Sequence, residues 1–474
     1  MGKQIITFHL PQTPQELQPS GKPMTTAIAS LDAFIHRWTA RSAKSPGDYS
    51  GDYIITPEGL VRNNMDEESG RGGYYHFRAS TSESQVMMVR GYLKAYQATK
   101  ITQYLIMART IADALIKYFF FGVIPSANAK WHSHWIVNGG AGFNSKETGH
   151  ESELIAYSEA YECWPTWRKL RPNEFATAGD SLHWFMETFD LLSLLETAEL
   201  KTKWLTAKNS MFREFQMITA PQKKIVYKGA IPFEFSNKGA NLSVQPTATF
   251  RGPYYSGYQN PVPWHFMKDY TAAANMLQLL IDAQAAYRTS TTIMGPFAPV
   301  YHYDTSMLSG ATINKFSWKG PDPNTFWGGF QYRAFTAVAD FWQQCITSKT
   351  SNPAVTSAAT VSTAFLTWLD TWLTTHPTET QIPVTFNEGV APIADYKEPH
   401  IIALALKGSL YCKKAGVNPQ IVTRVIGRLY KMLMSCQVTT GDMAGSFASD
   451  PNSHSFNGFW AGEIMDALAL YAIG

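Results

Sequence analysis

The sequence predicts an all-α fold: a ring of helical hairpins with long, partly β or irregular loops gathered on one face. Three observations carry this. Several stretches place apolar residues at spacings of three and four with a single interruption, the pattern of two antiparallel amphipathic helices. The link inside each hairpin is short, whereas the link to the next hairpin is long. Finally, "TFWGGFQYRAFTAVADF" from Thr325 and "GFWAGEIMDALALYAIG" from Gly458 open alike, with a Phe-Trp pair and a Gly ahead of a run of Ala, Leu, Phe and Tyr.

Taken in order, a lone helix over "TTAIASLDAFIHRWTARSA" comes first and is expected to pair with the helix after it. The clearest hairpin is "SQVMMVRGYLKAYQATKITQYLIMARTIADALIKYFF", broken at Thr99 and Lys100. A second is "HWFMETFDLLSLLETAELKTKWLTAKNSMFREF". "PWHFMKDYTAAANMLQLLIDAQAAYR" from Pro263 reads as one continuous inner helix. Hairpins follow from Phe326 and from Pro399; in the latter, Gly416 stops one helix and Pro419 starts the next. The terminal helix closes the ring.

Six helices then have the inner role, starting near Gln85, His183, Trp264, Trp327, Pro399 and Trp460. They are richer in Ala, Gly, Leu and aromatics than their partners, which carry the Lys, Arg and Glu of a face turned to water. Inner-to-outer links take about two to eight residues. The returns over 44–83, 121–181, 216–262, 376–397 and 438–458 are long, and 289–325 is expected to hold the missing twelfth helix or a substitute. In antiparallel hairpins all the long returns emerge on one face, where function usually sits. Residues 1–24 read as an extended, Pro-containing arm and 25–474 as a single toroid domain.

Composition narrows the function classes. Of 474 residues, 14% are aromatic and only 16% charged, so rings remain for recognition surfaces after a large core is built. The formal charge of +3 is spread without a Lys/Arg block, which argues against nucleic acid and anionic membranes as partners. The four cysteines, Cys163, Cys345, Cys412 and Cys436, lack CxxC spacing and read as free thiols. No metal or other cofactor is expected. The amino end, "MGKQIITFHLPQTPQEL", has neither the basic start nor the apolar core of a secretory signal, and no stretch is long and apolar enough to span a bilayer. The expectation is a soluble protein, cytoplasmic or virion-associated.

This arrangement, with the "YLIMARTIADALIKYF" texture of its clearest hairpin, resembles the six-hairpin glycosidase superfamily, the (α/α)6 toroids that include glycoside hydrolases and polysaccharide lyases. The resemblance covers Thr25 to Gly474 and names no subfamily. It implies carbohydrate chemistry on a polysaccharide or oligosaccharide in the long-loop cleft. Terpene-cyclase and prenyltransferase toroids carry Asp-rich or zinc motifs instead. No DDxxD occurs here, and the one dense acidic cluster, Asp66, Glu67 and Glu68, falls in a loop.

Sugar rings stack on aromatic faces while polar groups take their hydroxyls. The long loops and inner-helix starts supply Trp131, Trp135, Trp164, Trp167, Arg251, Tyr254, Tyr255, Trp264, Tyr301, Trp327 and Trp460 as candidate substrate-binding residues. The Trp residues at four inner-helix starts (184, 264, 327 and 460) are expected to ring the barrel mouth.

Glycoside hydrolysis normally needs two carboxyl groups. Glu83, Asp180 and Asp322 sit where helix caps are expected. Glu398 and Glu463 each precede a nearly uncharged helix, so their charge belongs at the mouth of an apolar barrel; one is the candidate general acid, with Asp395 or Glu388 as the second carboxylate.

A lyase would draw on His132, His134, Asn138, His150, Tyr301 and His302. A third reading is a non-catalytic glycan-binding or structural protein, such as a phage virion or tail component, docking to other subunits through the amino-terminal arm.

Overall fold

The computed structural model describes residues 23–41, 54–55, 59, 61, 79–80, 82–121, 135–136, 141–142, 176–218, 227–231, 234–236, 249–251, 253–303, 314–320, 325–448 and 458–474. Twelve α-helices occur among them: α1 (Pro23–Arg41), α2 (Ser82–Thr99), α3 (Thr102–Phe119), α4 (Gly179–Leu194), α5 (Ala198–Ile218), α6 (Val262–Met267), α7 (Tyr270–Thr291), α8 (Gly329–Thr347), α9 (Pro353–Thr375), α10 (Pro399–Lys414), α11 (Pro419–Ser435) and α12 (Gly458–Ile473). The amino-terminal arm lies outside the described residues, save for Pro23 and Met24, which open α1.

Local chemistry sets the hairpin turns. Lys100 adopts a left-handed conformation (φ 62°) and closes α2 through its N–H to Tyr96 O at 2.8 Å. Asn352 and Asn418 cap α9 and α11 with their side-chain oxygens, each followed by a proline in the first turn, where no N–H is missed. Gly416, at φ 90°, turns the chain between α10 and α11.

The inner ring closes on itself. Helix α2 packs on α4, α4 on α6, α6 on α8, α8 on α10, α10 on α12, and α12 back on α2. The outer members α3, α5, α7, α9 and α11 each back onto the inner helix before them. Helix α1 packs chiefly on α12 and less on α2, to which Asp32 is joined by the Tyr92 hydroxyl at 2.9 Å, so the first outer position joins the two ends of the described chain. The tightest crossing is that of α2 with α12. A Cβ at Gly462 would stand 2.4 Å from the Met87 carbonyl carbon, and one at Gly91 would stand 2.8 Å from Gly462 O. Two glycines here let backbone touch backbone.

Burial separates the two rings. Gly329–Phe341 of α8, Pro399–Cys412 of α10 and residues 461–470 of α12 are buried on every side. Outer α7 buries only a stripe, through Ala273, Met276, Leu277, Leu279, Leu280, Ala283 and Tyr287.

That stripe corrects the expected third hairpin. Lys268 turns left-handed (φ 58°) and Asp269 caps a new helix, accepting from Ala272 N, so the segment from Pro263 is two helices. The long one is outer and packs on α9. The inner position is filled by a 3-10 turn, Ser256–Tyr258, and short α6. Ala-rich α7 has an inner helix's composition but an outer helix's periodicity, and the periodicity decides. The irregular inner segment satisfies its buried backbone through Gln259, whose amide pairs with both Ile231 N–H and C=O at 2.8 Å. Where the missing twelfth helix was expected, the described residues of 289–325 include strands Val300–His302 and Lys315–Ser317, which form an antiparallel sheet with Tyr254–Tyr255.

A candidate active site at the mouth of the inner ring

Three inner helices bring functional side chains to the N-terminal mouth of the ring. Glu398 occupies the N-cap position of α10 and is 4% exposed. Its backbone N–H donates to Gln381 Oε1 at 3.0 Å, and its carboxylate accepts from the Trp327 indole Nε1 at 2.8 and 3.1 Å. Trp327 leads into α8 and is held by a backbone bridge to Thr385. Two residues beyond Glu398, His400 is fully buried, with Nδ1 3.7 Å from Glu398 Oε1. Its ring stacks on Trp460 of α12 (centroids 4.3 Å apart, planes at 10°) and lies 5.5 Å from Trp327. Burial, assisted by the Arg333 charge, holds the imidazole well below its ordinary pKa, so it is neutral at pH 7.

Arg333, one turn into α8, places its guanidinium 5.4 Å from the Trp327 ring centroid. Its Nε is 3.9 Å from Oε1 of Glu463, a residue of α12 that is 1% exposed. One indole and one guanidinium thus connect the two buried carboxyl groups.

A second charged layer lies deeper. Lys407 is seven residues beyond His400 on α10, and Asp340 seven beyond Arg333 on α8, which places both about 10 Å further down the bore. Asp466 follows Glu463 by three residues on the same face of α12. Arg90 of α2 contacts Asp466 at 2.6 Å, pairs with Glu187 of α4, donates to Tyr411 Oη at 3.1 Å and lies 3.6 Å from Asp340. Lys407 is 2.5 Å from Asp466. Arg90 and Lys407 both stand against the Trp184 ring, 5.1 and 5.4 Å from its centroid. Burial and the Glu187 charge raise the Asp340 carboxyl to about 7 despite Arg90, whereas Lys407 and Arg90 hold the buried Asp466 ionised, well below the usual carboxylate range.

The remaining sequence candidates separate. Asp395 is exposed on the rim, with both carboxylate oxygens accepting from Thr385 Oγ1 at 2.9 and 3.0 Å. Glu388 lies on an exposed turn whose Gly389 N–H donates to Ser290 Oγ at the end of outer helix α7. Neither is seen joined to Glu398.

The mouth holds Trp327 and Trp460 but not a ring of four tryptophans. Trp184 sits in the deeper layer, and buried Trp264 donates to Gly229 O at 3.1 Å. Tyr254 and Tyr255 are fully buried; Tyr254 packs on Tyr303 (4.5 Å) and Tyr255 stacks on Phe330 (5.0 Å), which leaves neither a face for a sugar. Tyr301 packs edge-on to Phe316, and His302 contacts Lys319 O. Trp135 and Arg251 fall on short strands. Trp131, Trp164, Trp167, His132, His134, Asn138, His150, Asp322, Cys163 and the Asp66–Glu68 cluster lie outside the described residues.

Sequence reading missed Arg333, His400 and the whole deeper layer. The signal was present: "HIIALALK", "RAFTAVAD" and "EIMD" each put two polar residues on one face of an apolar helix. Among the described residues no group of three His, Cys, Asp or Glu is arranged to hold a metal, and no helix is long and apolar enough to cross a membrane.

No protein-family model matches the chain, and no curated protein sequence matches it. Solved structures do. An alpha-amylase from Clostridium perfringens superposes with a TM-score of 0.56 at 9% identity, over 94% of this chain and 98% of that one. A D-mannose isomerase gives 0.55 at 11% identity, over 95% and 96%. A glycoside hydrolase family 76 mannosidase from Bacteroides thetaiotaomicron gives 0.52 at 10% identity, over 95% and 98%. At such low identity the likeness concerns the fold alone, and that fold is an all-α toroid of helical hairpins.

Proposed function

We propose that this protein is a carbohydrate-active enzyme, a glycoside hydrolase that cleaves a polysaccharide at the mouth of the inner ring. The observation that carries the reading is the pair of buried carboxyl groups, Glu398 and Glu463, at the starts of adjacent inner helices and linked through Trp327 and Arg333. The likeness to structures titled as an amylase and a mannosidase supports the same class.

The roles we infer for the two carboxyls rest on the groups beside them. Glu463 faces the Arg333 cation, which favours the ionised form and suits a base or nucleophile. Glu398, oriented by the Trp327 indole N–H and beside His400, takes the part of general acid on the leaving oxygen in this reading. Trp327 and Trp460, both partly exposed above the carboxyls, offer ring faces to the sugar.

The test is incubation with a panel of neutral and uronate-containing polysaccharides, following reducing ends and unsaturated products in parallel. Reducing ends without unsaturation, lost in Glu398→Gln and in Glu463→Gln by about 10²-fold or more, are expected. Full activity in either variant removes that residue from the mechanism. Silence in both channels with glycan binding retained overturns the enzyme reading in favour of a glycan-binding protein, the virion component among them.

A further inference from the structure

Beside the carboxyl pair, three short extended segments form a small rim sheet. The segment at residues 384–386 runs in the middle: Thr385 is bridged on one side to Trp327 and on the other to Ile393, both antiparallel. Gly328 N–H donates to Val384 O at 2.7 Å, Phe386 N–H to Phe326 O at 2.8 Å, and Ile393 N–H to Thr385 O at 3.0 Å. Directly opposed residues in antiparallel pairs project to the same face. Trp327, Thr385 and Ile393 therefore form one row, and Asp395, two residues past Ile393, stands on that same face, as its contact with Thr385 Oγ1 requires.

One end of this row is Trp327, whose indole holds Glu398; the other is Ile393, 43% exposed, beside exposed Asp395. Two strand spacings separate the ends, roughly 10 Å. Val384 and Phe386, on the opposite face, are fully buried, so the sheet is anchored from below and presents a fixed upper face. That face combines an apolar surface with a carboxylate already oriented by a hydroxyl, the pairing that takes the C–H face and the hydroxyls of a sugar.

We propose that the Ile393–Asp395 end of this face is a secondary sugar-binding subsite, one that holds a further unit of a neutral glycan chain whose scissile bond lies at Glu398 and Glu463. The inference rests on the hydrolase reading and adds to it the substrate class: an oligomer or polymer of uncharged sugars, since Asp395 would repel a uronate at that position. Asp395 is here a binding residue, not the second catalytic carboxylate.

The test compares wild type with Ile393→Asn and Asp395→Ala by affinity electrophoresis in gels containing mannan, xylan, soluble starch or polygalacturonate, and by kinetics on the matching di- and hexasaccharides. Retardation of wild type by a neutral polysaccharide, with retardation reduced in both variants, is expected. The ratio of kcat/KM for hexasaccharide over disaccharide should fall about tenfold in each variant, through KM. Both changed side chains are exposed, and an unaltered thermal melt shows that the fold is kept. Variants that are retarded and discriminate chain length like wild type overturn the subsite while leaving the hydrolase reading intact. A preference for polygalacturonate overturns the assignment to neutral sugars. A wild type that neither binds nor cleaves any of the four overturns both.

Discussion

The indole Nε1 of Trp327 donates to both carboxylate oxygens of Glu398, at 2.8 and 3.1 Å, so a residue ahead of one inner helix orients the carboxyl group that opens the next. Trp327→Phe keeps an aromatic ring, though a smaller one, and removes this donor. A hydrogen bond to a carboxyl in a buried site is worth about 1.5–3 kcal/mol, so its loss should lower kcat about 10–100-fold, whereas the smaller ring face acts on KM. Steady-state kinetics on a cleaved polysaccharide checks this, and an unchanged kcat would show that the bond does not position the acid.

Titration in the bore gives a signed pH prediction. Asp340, raised to about 7 by burial and by Glu187, binds its proton more tightly folded than unfolded, where carboxyls titrate near about 4. It therefore adds stability as pH falls from about 7 to about 4, and above 7 its desolvation cost is fully present. His400 acts in the opposite sense: burial and Arg333 depress its folded pKa, so below about 6.5 the unfolded chain takes up a proton that the folded one refuses. Asp340→Asn removes the first effect and leaves the second. Its unfolding free energy should fall more steeply between pH 7 and 5 than wild type's, by on the order of 1 kcal/mol per pH unit. Urea titrations at pH 8, 7, 6 and 5 measure the slopes, and parallel slopes would mean that Asp340 is not the titrating group.

Arg90 joins Asp466, Glu187 and Tyr411 inside the ring. Arg90→Ala leaves buried carboxylates without their guanidinium, which should cost about 3–5 kcal/mol. Adding Asp466→Asn should recover part of that loss, because the most tightly paired acid no longer carries charge. Chemical denaturation of both single variants and the double tests it; a loss in the double equal to the sum of the two singles would mean that the pair is not energetically coupled.

Two glycines predict opposite outcomes. Gly462→Ala drives a Cβ into Met87 backbone at the α2–α12 crossing and should destabilise by about 2–3 kcal/mol. Gly427→Ala, within α11 and with no atom within 4 Å of the added Cβ, should stabilise by about 0.5–1 kcal/mol. Thermal melts of the two proteins separate close packing from simple helix propensity.

Much of the fold is legible because helix periodicity, Pro at first turns and Gly or Lys at hairpin ends are local signals. The breaks at Thr99–Lys100 and Gly416–Pro419 lie where those residues put them. Periodicity loses its meaning inside the ring, where residues 329–341, 399–412 and 461–470 are buried all round and show no solvent face to read. This is why α7 was expected inside: its Ala-rich composition suggested an inner helix, while its single buried stripe marks an outer one.

The site divides in the same way. A charge in an apolar helix start pointed to Glu398 and Glu463 from one dimension alone, since a lone carboxyl there must be either a cap or something more. Which charges meet it is a different matter. Trp327, Arg333, His400 and Glu463 come from three helices separated by long stretches of chain, and their proximity follows from the register in which α8, α10 and α12 pack.

By itself the amino-acid sequence determined four of the hairpins, their short inner turns, the apolar inner helices and two of the carboxyls at their starts, because each depends on neighbours within a few residues. The tertiary structure alone decided which helix faces inward at the third position, that Asp395 stands on the rim sheet bound to Thr385, and that five ionisable groups, Arg90, Glu187, Asp340, Lys407 and Asp466, meet beneath the mouth. Those facts depend on distances between helices, which hydrophobic packing and the Gly91–Gly462 contact set in three dimensions.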